Sequence, residues 1–240
     1  MKELEGMIAL GKNLKSSSAR RGAQIQVEGD IAYITNDPKS FALRLKFSRE
    51  LGDGSFHAND AVGEAYQIQR RDDQVLFVWG TEDGDTRRKL IKDAGSIRDE
   101  VEAALNKYAT DAEYVPIPPH ALDLLDSGIL TTKVSLKDGK FVTRQLRSDA
   151  SSQAENETEL RSTERGKSLA SAFGGGDEVA AKAEDTPETT VFTQDLWVMR
   201  GLVDELRIAF GDGNAPLCVA GKFNFGATFE GRISHMLYEV

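Results

Sequence analysis

The sequence predicts an α+β protein built largely from β-strands, with its elements laid out twice along the chain. Three observations predict it. Apolar and polar residues alternate over short runs, as in Ile25-x-Val27 and Phe41-x-Leu43-x-Leu45-x-Phe47, and turn residues separate the runs. Helical spacing is confined to a few short windows. The order of elements in the first half returns after the proline-rich YVPIPP.

Taken in order, Leu4, Met7, Ile8, Leu10 and Leu14 fall at three- and four-residue spacings and predict a short amphipathic helix. Its polar side carries Lys12 and Lys15, and the following turn adds Arg20 and Arg21. AQIQVEGDIAYITNDPKSFALRLKFS then reads as three strands, broken at Gly29-Asp30 and at Asn36-Asp37-Pro38. After a glycine-rich turn, LGDGS, the spacing of Val62, Ala65, Tyr66 and Ile68 predicts a helix over 59–71. QVLFVWG is a buried strand, and TEDGDTRRKLI a turn with a returning strand. SIRDEVEAALNKYA predicts a second helix, with Ser96 and Asp99 as a capping box and Ile97, Val101, Ala104, Leu105 and Tyr108 on its apolar side. YVPIPP, with three of the six prolines, interrupts regular structure and marks the domain boundary. The resulting division is 1–112, a connector at 113–119, and 120–240.

The second half opens on a short helix, HALDLLDSGIL, and a hairpin, TKVSLKDGKFVTRQL, turning at Asp138-Gly139. From 148 to 190 the chain is rich in Ser, Ala, Glu, Thr, Gly and Lys, which predicts a loop or weakly ordered insertion with one edge strand. VFTQDLWVMRGLVDEL is expected to be a helix, and the remainder strands separated by GDGN, GKFNFG and EGR turns.

Length and composition bound the function. The 240 residues suit two domains of about 100–150 residues each, and 40% hydrophobic against 29% charged residues supports a packed core. No apolar run reaches the roughly 20 residues of a membrane span, and the N-terminal segment, with Glu3 and Glu5, does not read as a signal peptide. The single cysteine, Cys218, lies in an apolar run and reads as a buried thiol. These features place the chain in the cytoplasm. A net charge of -9 disfavours nucleic acid over the surface as a whole, yet one basic face is compatible with it, because charges are screened over about 8 Å.

The last fifty residues, FTQDLWVMRGLV, DELRIAFG, NAPLCV and EGRISHMLYEV, together with IPP…LDLLDSGIL…VSLKDGKFV, resemble the DNA sliding clamp family of archaeal, eukaryotic and T4-type phage clamps. The polar stretch 148–190 and the helix beginning near Ser96 depart from that pattern. The resemblance implies two clamp domains per subunit, joined as a homotrimeric ring with sheets outside and helices lining the hole. It also implies a protein without catalysis or cofactor that encircles duplex DNA, is opened by a loader, and tethers a DNA polymerase and other clients through short peptides. Clamps slide, so their DNA contacts are diffuse Lys and Arg contacts to phosphate. The candidates are Lys12, Lys15, Arg20, Arg21, Arg70, Arg71 and Arg200. By position in the resemblance, Pro216, Leu217 and Met236 form the client-peptide pocket, closed by Val115 and Ile117 of the connector.

No competing chemistry stands out. GTEDGDT lacks the glycine and distal glutamate of an EF-hand loop, AFGGGDE lacks the Lys-Ser/Thr of a P-loop, and His57 with Asp60 has no nucleophile elbow. The alternative reading is an acidic protein-interaction or regulatory module that never meets DNA.

Overall fold

The computed structural model describes residues 3–14, 22–37, 39–137, 140–146, 153–159 (backbone), 187–211 and 215–234. The first helix, α1 (Glu3–Asn13), forms as its spacing predicts, with Leu4, Met7, Ile8 and Leu10 buried, acids in its first turn and Lys12 in its last. Gly6 allows the helix to lie directly on Phe225; a Cβ there would stand 2.4 Å from that ring.

Strands β1 (Gln24–Gly29), β2 (Ile31–Thr35) and β3 (Phe41–Lys46) make the expected antiparallel meander, and β4 (Gly52–His57) pairs with the other side of β1. Three more strands follow: β5 (Gln67–Arg71), β6 (Gln74–Gly80) and β7 (Thr86–Lys92). Helix α2 (Arg98–Lys107) precedes β8 (Val115–Ile117) and a 3-10 turn, Pro119–Leu124. The second half continues with β9 (Thr131–Lys137), β10 (Lys140–Leu146), β11 (Gln153–Glu159), β12 (Glu188–Phe192), helix α3 (Thr193–Trp197), β13 (Val203–Phe210), β14 (Leu217–Phe223) and β15 (Thr228–Ile233).

The strands form two sheets. One has the order β7-β6-β5-β4-β1-β2-β3-β15-β14-β13-β8, and the other β11-β10-β9-β12. The halves repeat one plan. In each, a helical segment leads into four strands ordered fourth-first-second-third (β4-β1-β2-β3 and β12-β9-β10-β11), then a short helical turn, then a three-strand meander (β5-β6-β7 and β13-β14-β15). The hairpins β1–β2 and β9–β10 both close across two residues, and β6–β7 and β14–β15 both close across five. The halves meet where β3 pairs antiparallel with β15.

Alternation assigns the two faces. Ala32, Ile34, Phe41 and Leu43 point into the main core, which also takes in α1, α3 and both 3-10 turns. Between them, Tyr33 and Ala42 point the other way, into a second cluster with Ile97, Val101, Ala104 and Leu105 of α2. Phe47, Phe223, Phe225 and Phe229 form an aromatic group in the main core beneath α1, with Phe223 and Phe225 stacked at 4.8 Å. Among the described residues no helix is long and apolar enough to cross a membrane.

Several local expectations are corrected. LGDGS is strand β4 and not a turn, its glycines admitting a close approach: a Cβ at Gly52 (φ +108°) would sit 1.8 Å from the carbonyl oxygen of Ile68. The expected helix over 59–71 is a 3-10 turn, Ala58–Asp60, followed by β5. Gly63 weakens helix there, and QIQRR satisfies its backbone by pairing with β6. The long helix expected in VFTQDLWVMRGLVDEL is only α3, because Val191 and Phe192 pair with β9 and Gly201 (φ +69°) ends the turn before β13. The short helix in HALDLLDSGIL takes the 3-10 form. YVPIPP keeps regular structure as edge strand β8, where Pro116 is tolerated because edges need fewer donors. Most of 148–190 lies outside the described residues; within it, β11 is the edge strand and β12 begins.

Candidate nucleic-acid and partner interface

The basic residues singled out from sequence divide into three groups. Lys15, Arg20, Arg21 and the pocket residue Met236 lie outside the described residues. Lys12 is exposed at the end of α1, beside Asn13, whose carbonyl accepts from Gln194 Nε2 of α3 at 3.1 Å. Arg200 follows α3, is exposed, and pairs with Asp123 of the second 3-10 turn at 2.8 Å. Lys12 and Arg200 thus belong to the helical layer over the main core. Surface pairs of this kind are worth about 0–1 kcal/mol, so phosphate can compete for Arg200.

Arg70 and Arg71 do not sit side by side on a helix. Strand β5 places Arg70 opposite Val75 on the core side, where it pairs with Asp93 at 3.0 Å. Arg71 falls opposite Gln74 on the other face, across the sheet from α1 and α3. Sequence reading missed the most basic strand: β7 carries Arg87, Arg88, Lys89 and Lys92 at the end of its sheet. Lys89 Nζ donates to the Asp60 carbonyl at 3.0 Å.

The residues expected to form a client pocket are largely used in packing. Ile117 and Leu217 are buried in the main core, Val115 packs against it, and Pro216 is buried at the start of β14. Register puts Val115 beside Ile208 and Ile117 beside Leu206. Ile117 also borders a groove of about 280 Å³ along β8 and β13, with Pro116, Pro118, Glu205 and Arg207.

The opposite face of the sheet centre is covered by α2, held at both ends by strand side chains. At its N-terminus the Gln26 Oε1 accepts the backbone N–H of Ile97 at 2.6 Å and of Arg98 at 3.0 Å, together with Ser96 Oγ at 3.1 Å. Ser96 therefore donates to Gln26, and the Ser96–Asp99 capping box is replaced by a cap from β1. At the C-terminus the buried Arg232 of β15 donates to the carbonyls of Leu105 and Tyr108 at 3.0 and 2.9 Å. Arg44 ties Glu102 of α2 to Glu230 of β15, at 3.1 and 2.9 Å. Cys218 is buried under the same helix end, with its Sγ 3.5 Å from the Tyr108 carbonyl. Burial pushes its thiol pKa up, partly offset by the Arg232 charge. Burial also raises the phenol pKa of Tyr33, and the neighbouring Glu102 adds to the shift.

Among the described residues no group of three or more His, Cys, Asp or Glu could hold a metal ion. No protein-family model and no curated protein sequence matches the chain. A solved structure does: the complex of PCNA2 and PCNA3 from Sulfolobus tokodaii superposes with a TM-score of 0.57 at 11% identity, covering 99% of this chain and 98% of that one.

The chain has the fold of a PCNA-like clamp.

In clamp terms the repeated plan is two clamp-type units, and β3–β15 is the seam between them. Helix α2 follows β7 and rests on the sheet face away from α1 and α3. Gln26, Arg44 and Arg232 hold it there; in sequence they are only the polar members of alternating strands.

Proposed function

We propose that the chain is the subunit of a DNA sliding clamp, a homotrimeric ring that encircles duplex DNA without sequence preference and tethers a polymerase and other replication proteins. The observation that carries this reading is the match along nearly the whole chain to a PCNA complex, a match at the level of fold. The internal repeat supports it independently, since two units of one plan already join edge to edge through β3 and β15, the kind of contact that repetition between copies can extend. The units are divided as 1–112, 113–119 and 120–240.

On this reading the layer of α1, α3 and the 3-10 turns faces DNA. Lys12 and Arg200 contribute there with Lys15, Arg20, Arg21 and Arg70, whereas Arg71 lies on the opposite face. Client peptides engage the connector and the end of the second unit, around Val115, Ile117, Pro216, Leu217 and Met236, with the groove beside Ile117 as the open part of that region. A ring performs no chemistry; it converts a weak, salt-sensitive affinity for phosphate into topological retention.

The test is retention on circular DNA. Protein loaded on a nicked circle by its loader remains bound through gel filtration in high salt and is lost when the circle is linearised. Equal loss from circular and linear DNA contradicts encirclement.

A further inference from the structure

The β3–β15 seam between the halves is crossed on both faces of the sheet. Helix α2 crosses it on one face. Its N-terminal turn is held by the half that carries β1–β3. There Gln26 accepts from Ile97 and Arg98, Glu28 pairs with Arg98 at 2.9 Å, and Lys39 pairs with Glu100 at 2.7 Å. Its C-terminal turn is held by the other half, where Arg232 of β15 donates to Leu105 and Tyr108. Midway, Arg44 of β3 stands opposite Glu230 of β15 and bonds both it and Glu102 of the helix.

A second crossing lies on the side of α1 and α3. Asp195 of α3 is fully buried, and its carboxylate accepts from Ser40 Oγ and, at 3.2 Å, from Asn36 Nδ2. Asn36 Oδ1 in turn accepts the backbone N–H groups of Ser40 and Phe41, which builds the link into the turn between β2 and β3. The Ser40 carbonyl also accepts the N–H of Ser234, just past β15. A buried carboxylate persists only where donors hold it, so parting the two halves here strands a charge.

We propose that α2 and Asp195 form a two-sided lock on the β3–β15 seam, which makes the two halves one rigid body and fixes the angle between them. A seam braced on one face can still hinge about its strands; braced on both, it cannot. One consequence rests on the ring reading above: a fixed angle in every copy selects a single closed ring size.

The test is hydrogen exchange of the full chain, read at the amides of β3 and β15 with β9 as the reference. Arg232→Met and Asp195→Asn, each checked for native circular dichroism, are expected to speed exchange at the seam about tenfold or more each, and together by about the product. Ser40→Ala and Glu102→Gln, milder cuts of the same two links, carry the test if either of these does not fold. A staple separates hinging from general weakening. Lys46 and Thr228 are directly opposed across the seam. Cysteines at such positions have Cα atoms about 4.5–5.5 Å apart, within disulfide range. Lys46→Cys with Thr228→Cys, once oxidised, is expected to restore slow exchange at the seam in both variants. Faster exchange confined to α2 or α3, or no recovery with the staple, overturns the lock.

Light scattering tests the consequence separately. If the native chain forms one oligomer, the double variant is expected to spread over several sizes, and a single native size in both contradicts the fixed angle. If the folded native chain is a monomer at every concentration, the ring reading fails, while the exchange experiment still decides the lock.

Discussion

Arg232 donates from Nη2 to the carbonyl of Leu105 at 3.0 Å, so a guanidinium from the last described strand closes the C-terminal turn of α2. It is 2% exposed, and its other bonds go to the carbonyls of Tyr108 and Gly231 and to the Glu230 carboxylate at 3.4 Å. A helix C-terminus carries partial negative charge and unpaired carbonyls, both of which a cation answers.

Replacing this group tests the anchoring of α2. Arg232→Met keeps much of the volume but leaves two helix-end carbonyls without their donor, and is expected to cost about 2–4 kcal/mol. The urea midpoint measures the cost, and hydrogen exchange over 98–107 locates it. Unchanged exchange in α2 contradicts the anchoring role.

The other end depends on Gln26. Gln26→Leu removes the acceptor for two backbone donors, and a loss of about 1–2 kcal/mol is expected, as for other N-caps. Ser96→Ala removes only a donor to Gln26 and is expected to have the smaller effect. The two urea midpoints, compared directly, decide which residue is the cap.

Alkaline pH is expected to loosen the same region. Cys218, Tyr33 and Tyr114 all have raised pKa values, burial being the main cause in each case. Each group holds its proton more tightly folded than unfolded, so the unfolded chain loses protons first and stability falls as pH rises. The contribution is complete below the ordinary thiol and phenol range, about 8.5 to 10, and is lost from there toward the raised folded values. Urea midpoints at pH 8 and pH 10 measure the fall. A Cys218→Ala, Tyr33→Phe chain is expected to show a smaller one, and an unchanged fall would assign it to other groups.

The DNA-facing assignment makes a separable prediction. Lys12→Glu and Arg200→Glu are expected to lower affinity for duplex DNA equally across sequences and to flatten its salt dependence, by about one counterion or more each. Arg71→Glu, on the opposite face, is expected to leave both unchanged. Titrations at several salt concentrations check this, and an equal effect at Arg71 would contradict the assignment of faces.

Much of the fold was legible wherever one period ran long enough to exclude the other. Helix α1, the β1–β3 meander, the β6–β7 pair, α2 and the β9–β10 hairpin all follow from spacing. The segment 59–71 was not legible, because Val62, Ala65 and Ile68 suit a helix as well as a turn leading into a strand, and the pairing partner β6 decides. The same ambiguity shortened α3, where Val191 and Phe192 are held extended by β9. Expected contact residues fared unevenly for related reasons. A strand in place of a helix puts Arg70 and Arg71 on opposite faces, and the apolar Ile117 and Leu217 are drawn into the core by the same side-to-side alternation that builds the strands. Gln26 and Arg232 gave no signal of their own, since a cap supplied by a distant strand is a property of the assembled sheet.

The central claim is that this chain closes into a ring with copies of itself. The most direct test is the solution mass of the purified full chain by light scattering after size exclusion, over a dilution series at low salt. A species near three times 26.3 kDa is predicted. A folded species of one chain mass at every concentration would contradict the ring, and with it the clamp function.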